Sequence, residues 1–458
     1  MTLTNAAPST VDRDRLGRLM STELDRFARA HPRSGKLHER ARASLVDGVP
    51  MNWMIRWAGT SPLFVDRAEG AHLTCVDGHD YVDLCLGDTG AMAGHSPAPT
   101  VAAVERQLRR GITHMLPTED AIEAGAELAR RFGVPLWQFT MTATDANRFA
   151  IRLARHLTGR SKVVVHDYCY HGSVDETFAT KDSDGRVVES EGSIGSPVDP
   201  ALTSRVVAFN DVEDLARALE DEEVAVVLIE PALTNVGIVL PEPGYLDAVR
   251  DLTRRTGTLL IVDETHTICA GPGGMTGRDG LEPDFLVIGK TIGGGIPAGA
   301  YGMTAAVAER MQGTIGLDRS DVGGIGGTLA GYALSMAAIR ATLGEVLTAA
   351  AFDQMIGLAE RWEAGANEAI ARHGAPWHVT RLGARAEYHF VATPPRSGAE
   401  QAAHHDAELE RFLHLWAMNR GVLMTPFHNM ALMSPATTAS DVDRHTSVFD
   451  EAVAALFD

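Results

Sequence analysis

Lysine is nearly missing from this 458-residue chain: Lys36, Lys162, Lys181 and Lys290 are the whole complement among 41 basic residues. Positive charge is short overall, since 60 acidic residues leave a formal charge of −19. Nucleic acids and anionic membranes are bound through clustered Lys and Arg, so neither is an expected partner, and an anionic small molecule has to be caught by a local site. Cysteine is scarce as well. Cys75, Cys85, Cys169 and Cys269 have neither CxxC nor mixed Cys/His spacing, which argues against a metal centre or a disulfide framework and predicts a reduced, cytoplasmic setting. The first residues lack an apolar signal stretch. No apolar run approaches the roughly 20 residues of a spanning helix, so an integral membrane protein is not expected.

What is present reads as an ordinary globular chain, 45% apolar and 22% charged, long enough for two or three domains. Residues 1–10 form a polar tail. Leu16, Met20, Leu24 and Phe27 then recur at helical spacing, which predicts an amphipathic helix. Short alternating runs broken by Asp-Gly and Gly-His predict a small antiparallel unit over about Pro62 to Leu86. From about Thr100 helices alternate with β-branched runs at 137–142, 162–166, 205–209, 224–230, 259–264 and 285–290. That cadence predicts an α/β fold with a mostly parallel sheet covered on both faces. The polar stretch Lys181 to Pro200 reads as a surface excursion. After Gly327 the sequence turns helical, with a small sheet near 381–392 and 421–434 and a last helix over Ala439 to Leu456, capped by Ser440. The expected domains are 1–75, 76–330 and 331–458.

In an open parallel sheet, ligands bind beyond the carboxyl ends of the strands. Thr142 and Thr144, Tyr170 and His171, Glu230, Asp263 and Lys290 all fall at such ends. Lys290 closes the apolar run Phe285 to Ile288 and is followed by Gly293, Gly294 and Gly295. Burial disfavours an ammonium ion, and a neutral amine can attack an aldehyde and hold it as a Schiff base; a lysine snorkelling from a strand end is the plain alternative. Asp263 ends the run LLIV, where an unpaired carboxylate is costly. It suits the ring nitrogen of a pyridine cofactor, or else an N-cap or salt bridge. Thr142-Ala-Thr-Asp precedes an amphipathic helix, whose first N–H groups and dipole make a phosphate site or, more plainly, an ordinary capped helix.

In order and spacing, Phe64-Val-Asp-Arg-Ala-Glu-Gly-Ala, Asp77-Gly-His-Asp-Tyr-Val-Asp, Thr142-Ala-Thr-Asp-Ala-Asn, Tyr170-His-Gly, Glu230-Pro, Asp263-Glu, Gly289-Lys290 and Gly327-Thr-Leu-Ala-Gly resemble the class III aminotransferases, closest to the glutamate-1-semialdehyde aminomutase branch. The resemblance runs from about Val49 to the last helix. It implies fold type I with a seven-stranded, mostly parallel sheet in the large domain and a smaller α+β domain built from both chain ends. It implies pyridoxal 5′-phosphate (PLP) bound through Lys290, with Asp263 at the ring nitrogen and Tyr170 stacked on the ring beside His171. Ala143 and Thr144 would hold the phosphate, Glu230 and Asn235 would lie near the ring oxygen, and Thr265 would pack beneath the ring. Thr328 would reach the phosphate of a partner subunit, so a homodimer with shared active sites is implied.

The chain departs from the family pattern in several places. Ala143, Asp145 and Thr265 stand where glycine, glutamate and valine are usual, and Asn429 where the aminomutase branch carries glutamate. Arg56, in MNWMIRW, is the candidate for a substrate carboxylate; its plain alternative is an exposed, paired arginine. The reading is a PLP-dependent aminotransferase passing an amino group between a small-molecule donor and a keto acceptor by a ping-pong route. The alternatives are an intramolecular aminomutase, a racemase or decarboxylase using the same electron sink, and a binding protein without turnover.

Overall fold

The computed structural model describes residues 11–314 and 322–458; the tail expected over 1–10 lies outside them. The chain divides into two compact units. One holds residues up to Ser96 together with Asp353–Pro394 and Ala402–Asp458, and the other holds Pro97–Phe352 with Pro395–Gln401.

The larger unit is organised by a seven-stranded sheet in the order Leu136–Thr140, Gly299–Met303, Phe285–Ile288, Leu259–Asp263, Val224–Ile229, Lys162–His166, Ser204–Val207. Every neighbouring pair is parallel except those made by Gly299–Met303, which runs antiparallel to both flanking strands. The continuous apolar runs follow from burial on both faces, because successive side chains leave a strand in opposite directions. Val163, Val165, Val226, Leu228 and Ile261 join one core with Phe149, Ala150 and Leu153 of the helix Ala143–Thr158. Val164, Val227, Ile229, Leu260 and Val262 join the opposite core with Leu215 and Leu219 of Val212–Leu219 and Tyr245, Val249 and Leu252 of Tyr245–Thr256.

The seventh strand, GAYGM, escapes a reading by β-propensity because glycine is depleted in strands. Its glycines have a packing reason. A Cβ at Gly302 would sit 2.8 Å from the Trp137 ring, and one at Gly299 would strike Thr140 and the backbone of Thr142. The excursion after Lys181 is also more ordered than expected, since Val187–Glu189 pairs antiparallel with Ala179–Lys181.

The other unit draws on both chain ends. Val65–Glu69, His72–Cys75 and Asp80–Asp83 form an antiparallel meander, and Val422–Leu423 adds a parallel fourth strand beside Asp80–Asp83. The helix Arg13–Ala30 buries Leu16 and Phe27, and Phe27 shares a core with Tyr81, Leu415 and Leu423. His378–Leu382, Arg385–His389 and Met430–Leu432 make a separate three-stranded sheet. The last helix, Ala439–Phe457, is capped by Thr438 in a reciprocal capping box with Asp441, not by Ser440.

The observed divisions differ from the expected 75/76 and 330/331. His72–Cys75 and Asp80–Asp83 are adjacent strands of one hairpin, so no boundary can part them. The helix Ala333–Ala341 stays with the large unit, packing on Ala98–Leu108 and Glu119–Phe132. Arg340 bonds Asp120 at 2.6 Å, and Thr342 shares a 2.8 Å hydroxyl contact with Thr100.

Arg131 locks this corner. Its side chain, 2% exposed, pairs with Glu127 at 2.7 Å and donates to the carbonyls of Pro272, Leu343 and Leu347. Arg131→Met is expected to leave these acceptors orphaned and to lower unfolding stability by roughly 3 kcal/mol in urea titrations; an unchanged midpoint would show the carbonyls re-satisfied by water.

Candidate functional site

Five strands of the large sheet deliver polar groups to its carboxyl edge. Asp263 terminates Leu259–Asp263 with the carboxyl group 4% exposed. Its Oδ2 accepts from Asn147 Nδ2 at 2.8 Å and lies 2.9 Å from His171 Nδ1, while Oδ1 accepts from the Thr265 N–H at 3.0 Å. Burial alone would push this carboxyl up. The hydrogen bond and charge of His171, with Thr265 and Asn147, outweigh burial and hold it below the ordinary aspartate value. Burial likewise works against a charged His171, but Cys169 and Asp263 keep its proton bound to well above the ordinary histidine value. The result is a buried aspartate–histidine ion pair.

Asn147 also donates to the carbonyl of His171 at 3.1 Å, tying the helix Ala143–Thr158 to the turn that follows Lys162–His166. Thr142 caps that helix by accepting from the Asp145 N–H. The hydroxyl of Thr144, one turn behind Asn147, accepts from the Ser173 N–H at 3.2 Å. Gly172, at φ +78°, lies so close that a Cβ there would overlap Thr144 Oγ1. A Cβ on Gly289 would come within 3.0 Å of the Ala143 backbone. Three segments, 142–145, 170–173 and 289–290, therefore converge because two glycines permit it.

Glu230 is buried beyond Val224–Ile229. It accepts from the Tyr170 N–H at 3.1 Å and from the Thr234 hydroxyl at 2.5 Å. Burial raises its carboxyl above the ordinary glutamate value, although His171, Thr234 and the Tyr170 N–H pull the other way. Lys290 is half-buried and has φ +51°, left-handed backbone that a residue with a Cβ rarely adopts. Its Nζ lies 2.8 Å from Nε2 of His266.

Among the expected residues, Ala143, Thr144, Tyr170, His171, Glu230, Asp263, Thr265 and Lys290 share this edge. Tyr170 keeps 40% of its surface exposed, and Asn235 and Thr328 are exposed residues of the same unit. Arg56 and Asn429 belong to the other unit, Arg56 exposed and Asn429 buried; there Trp53 and Phe427 pack edge to face with centroids 6.3 Å apart.

The sequence reading missed the roles of Asn147 and His266. Asn147 is a fully buried amide on the apolar face of an amphipathic helix, a placement that signals a buried partner. His266, three residues past Asp263, carries no local signal in the sequence.

The ion pair predicts a pH signature. His171, with its value raised on folding, stabilises fully below about pH 6.5 and loses that contribution as pH rises through the raised value. Asp263, with its value lowered, contributes above about pH 4 and loses it as pH falls through the lowered value. His171→Gln is therefore expected to be most destabilising, relative to the unmutated chain, between these limits and less so toward alkaline pH in urea titrations. A pH-independent difference would remove the charge from the account.

Comparison with known proteins agrees with this geometry. Residues 54–453 match the family described as aminotransferase class-III. The glutamate-1-semialdehyde 2,1-aminomutase of Anaeromyxobacter dehalogenans strain 2CP-1 is 33% identical over 418 residues, 90% of this chain and 95% of the relative. A glutamate-1-semialdehyde-aminomutase from Pseudomonas aeruginosa PAO1 superposes with a TM-score of 0.96 at 49% identity, covering 97% of this chain and 99% of that one; a variant of it was solved in complex with PMP. An omega-transaminase from Sphaerobacter thermophilus superposes with a TM-score of 0.84 at 30% identity, covering 92% and 97%. The chain belongs to the class III aminotransferases, PLP-dependent enzymes of fold type I.

Proposed function

We propose that the enzyme moves an amino group between adjacent carbons of one small amino-carboxylate, in the manner of a glutamate-1-semialdehyde 2,1-aminomutase. The observation that carries this reading is likeness to relatives of that name over nine-tenths or more of the chain. It displaces the two-substrate aminotransferase favoured by the sequence reading alone.

The residues at the sheet edge fit PLP. The Cβ atoms that Gly172 and Gly289 omit leave Thr144 and Ala143 accessible at a helix N-terminus, where first-turn N–H groups suit a phosphate. A charged Asp263, fixed by three donors, suits a protonated ring nitrogen. When bound, PLP supplies the electron sink for the carbon that loses its proton.

Lys290 Nζ would hold the cofactor and would move the proton at the amino-bearing carbon. Asp263 holds the complementary charge, worth several kcal/mol of transition-state stabilisation when preorganised. With PLP bound, Tyr170 and His171 would hold one side of the ring and Thr265 the other, and Glu230 and Asn235 would serve its oxygen. Arg56, exposed in the other unit, carries the planar fork that suits a substrate carboxylate, and Asn429 is a buried amide of that unit. The net change is redox-neutral, because the amino group and the carbonyl oxygen exchange between two carbons.

A second reading, transamination with release of a keto product, is favoured by Asn429. A neutral, buried amide stands there, and its Oδ1 lacks a hydrogen-bond partner among the described residues. Glutamate 1-semialdehyde carrying 15N on C2 separates the two. Label retained on C1 of the product with no free keto acid supports the aminomutase. Turnover only with a separate keto acceptor supports the transaminase, and Lys290→Ala should abolish either.

We further infer a homodimer in which Thr328 donates to the phosphate held by the partner subunit. The exposure of Met115 (79%), Leu116 (72%) and Ile122 (70%) in the same unit supports an apolar contact surface. Mixing inactive Lys290→Ala with inactive Thr328→Ala is expected to restore activity after subunit exchange, since one site of the mixed dimer then carries neither lesion. Demonstrated exchange without recovery overturns the shared site.

A further inference from the structure

The contact between Lys290 and His266 goes beyond the roles assigned so far. His266 is 8% exposed and leads into the short turn Thr267–Ala270, directly after the strand that ends at Asp263. Its Nε2 lies 2.8 Å from Lys290 Nζ. Two nitrogens at this separation share one proton, because two donors facing each other repel. Lysine amines are stronger bases than imidazoles, so the shared proton belongs to Nζ and Nε2 accepts, with the imidazole proton on Nδ1.

Two consequences follow from that direction. Donation of one N–H to His266 fixes the rotation of the terminal amine and so turns its lone pair away from the ring. Once Nζ takes up a further proton, the same bond becomes charge-assisted and stronger, which favours the protonated amine. Lys290 carries a free amine whenever it is not bonded to the cofactor, which is when it would accept and return a proton.

We propose that His266 is a positioning residue for Lys290, accepting from Nζ to aim its lone pair and to stabilise the proton it takes. The inference rests on the reading of Lys290 as the proton-moving group. The other charged groups at this edge have their own partners. Asp263 is held by His171 and Asn147, Glu230 by Thr234 and the Tyr170 N–H, and Glu264 by Thr267 and the N–H groups of Met275 and Thr276.

The test reads the amine itself in cofactor-free protein. Trace acetic anhydride labels the lysines across neutral to alkaline pH, and mass spectrometry follows Lys290 with Lys36, Lys162 and Lys181 as internal references. In His266→Phe and His266→Leu, which lack an acceptor, labelling of Lys290 relative to the reference lysines should change about tenfold, the size expected for loss of a charge-assisted bond. His266→Gln, whose side-chain oxygen can accept, should stay near the unmutated value, and the reference lysines should not move. Circular dichroism confirms folding, and the two apolar variants back each other up. No change at Lys290 in a folded apolar variant, or a change in His266→Gln equal to theirs, overturns the proposal. Because labelling needs no turnover, its outcome is independent of whether the enzyme isomerises or transaminates.

Discussion

The Asp263–His171 ion pair is the constraint from which the rest of the site follows. A carboxylate at the end of an apolar strand is stable as an anion only if donors or a counter-charge surround it, and removing one partner of such a buried pair is far more damaging than removing both. The donors come from three different segments: His171 from the turn after Lys162–His166, Asn147 from the helix Ala143–Thr158, and the N–H of Thr265 from the chain beyond the strand. Satisfying one charge thus aligns the helix that presents Thr144 with the turn that presents Tyr170. A pyridine ring with a phosphate on one side and a ring nitrogen on the other needs that alignment, and here it is imposed by hydrogen-bond accounting.

Much of this was legible in the sequence, for identifiable reasons. The inner strands announced themselves because double-sided burial demands unbroken apolar runs such as VAVVLI. Asp263 and Lys290 were conspicuous because charge at the end of such a run is expensive. The seventh strand was hidden because Gly299 and Gly302 answer to Thr140 and Trp137, which are distant in sequence. The unit boundaries were missed for a related reason. The pairing of Asp80–Asp83 with Val422–Leu423 and the packing of Ala333–Ala341 on Ala98–Leu108 are long-range facts without a local signature. His266 was missed because a histidine after a strand announces nothing until the chain folds and a lysine nitrogen arrives beside it.

Lys290 also shows how the backbone shares in building the site. Left-handed conformation costs a residue with a Cβ roughly 1 kcal/mol, and it persists only where the surroundings enforce it. Gly289 supplies the close approach to Ala143 that makes the enforcement possible. Strand, turn and helix terminus hold the base of the side chain while His266 holds its tip, so a flexible four-carbon stem is restrained at both ends.

The parallel pairing of Val422–Leu423 with Asp80–Asp83 bears on how the protein is made. The large unit is encoded almost without interruption, so it can collapse while synthesis is still under way. The opening hairpin strands emerge first yet lack their last neighbour until nearly the whole chain has been translated. During that interval an unpaired strand edge is exposed to other nascent chains, and the polar, charged character of Asp80 and Asp83 makes it a poor template for misassembly.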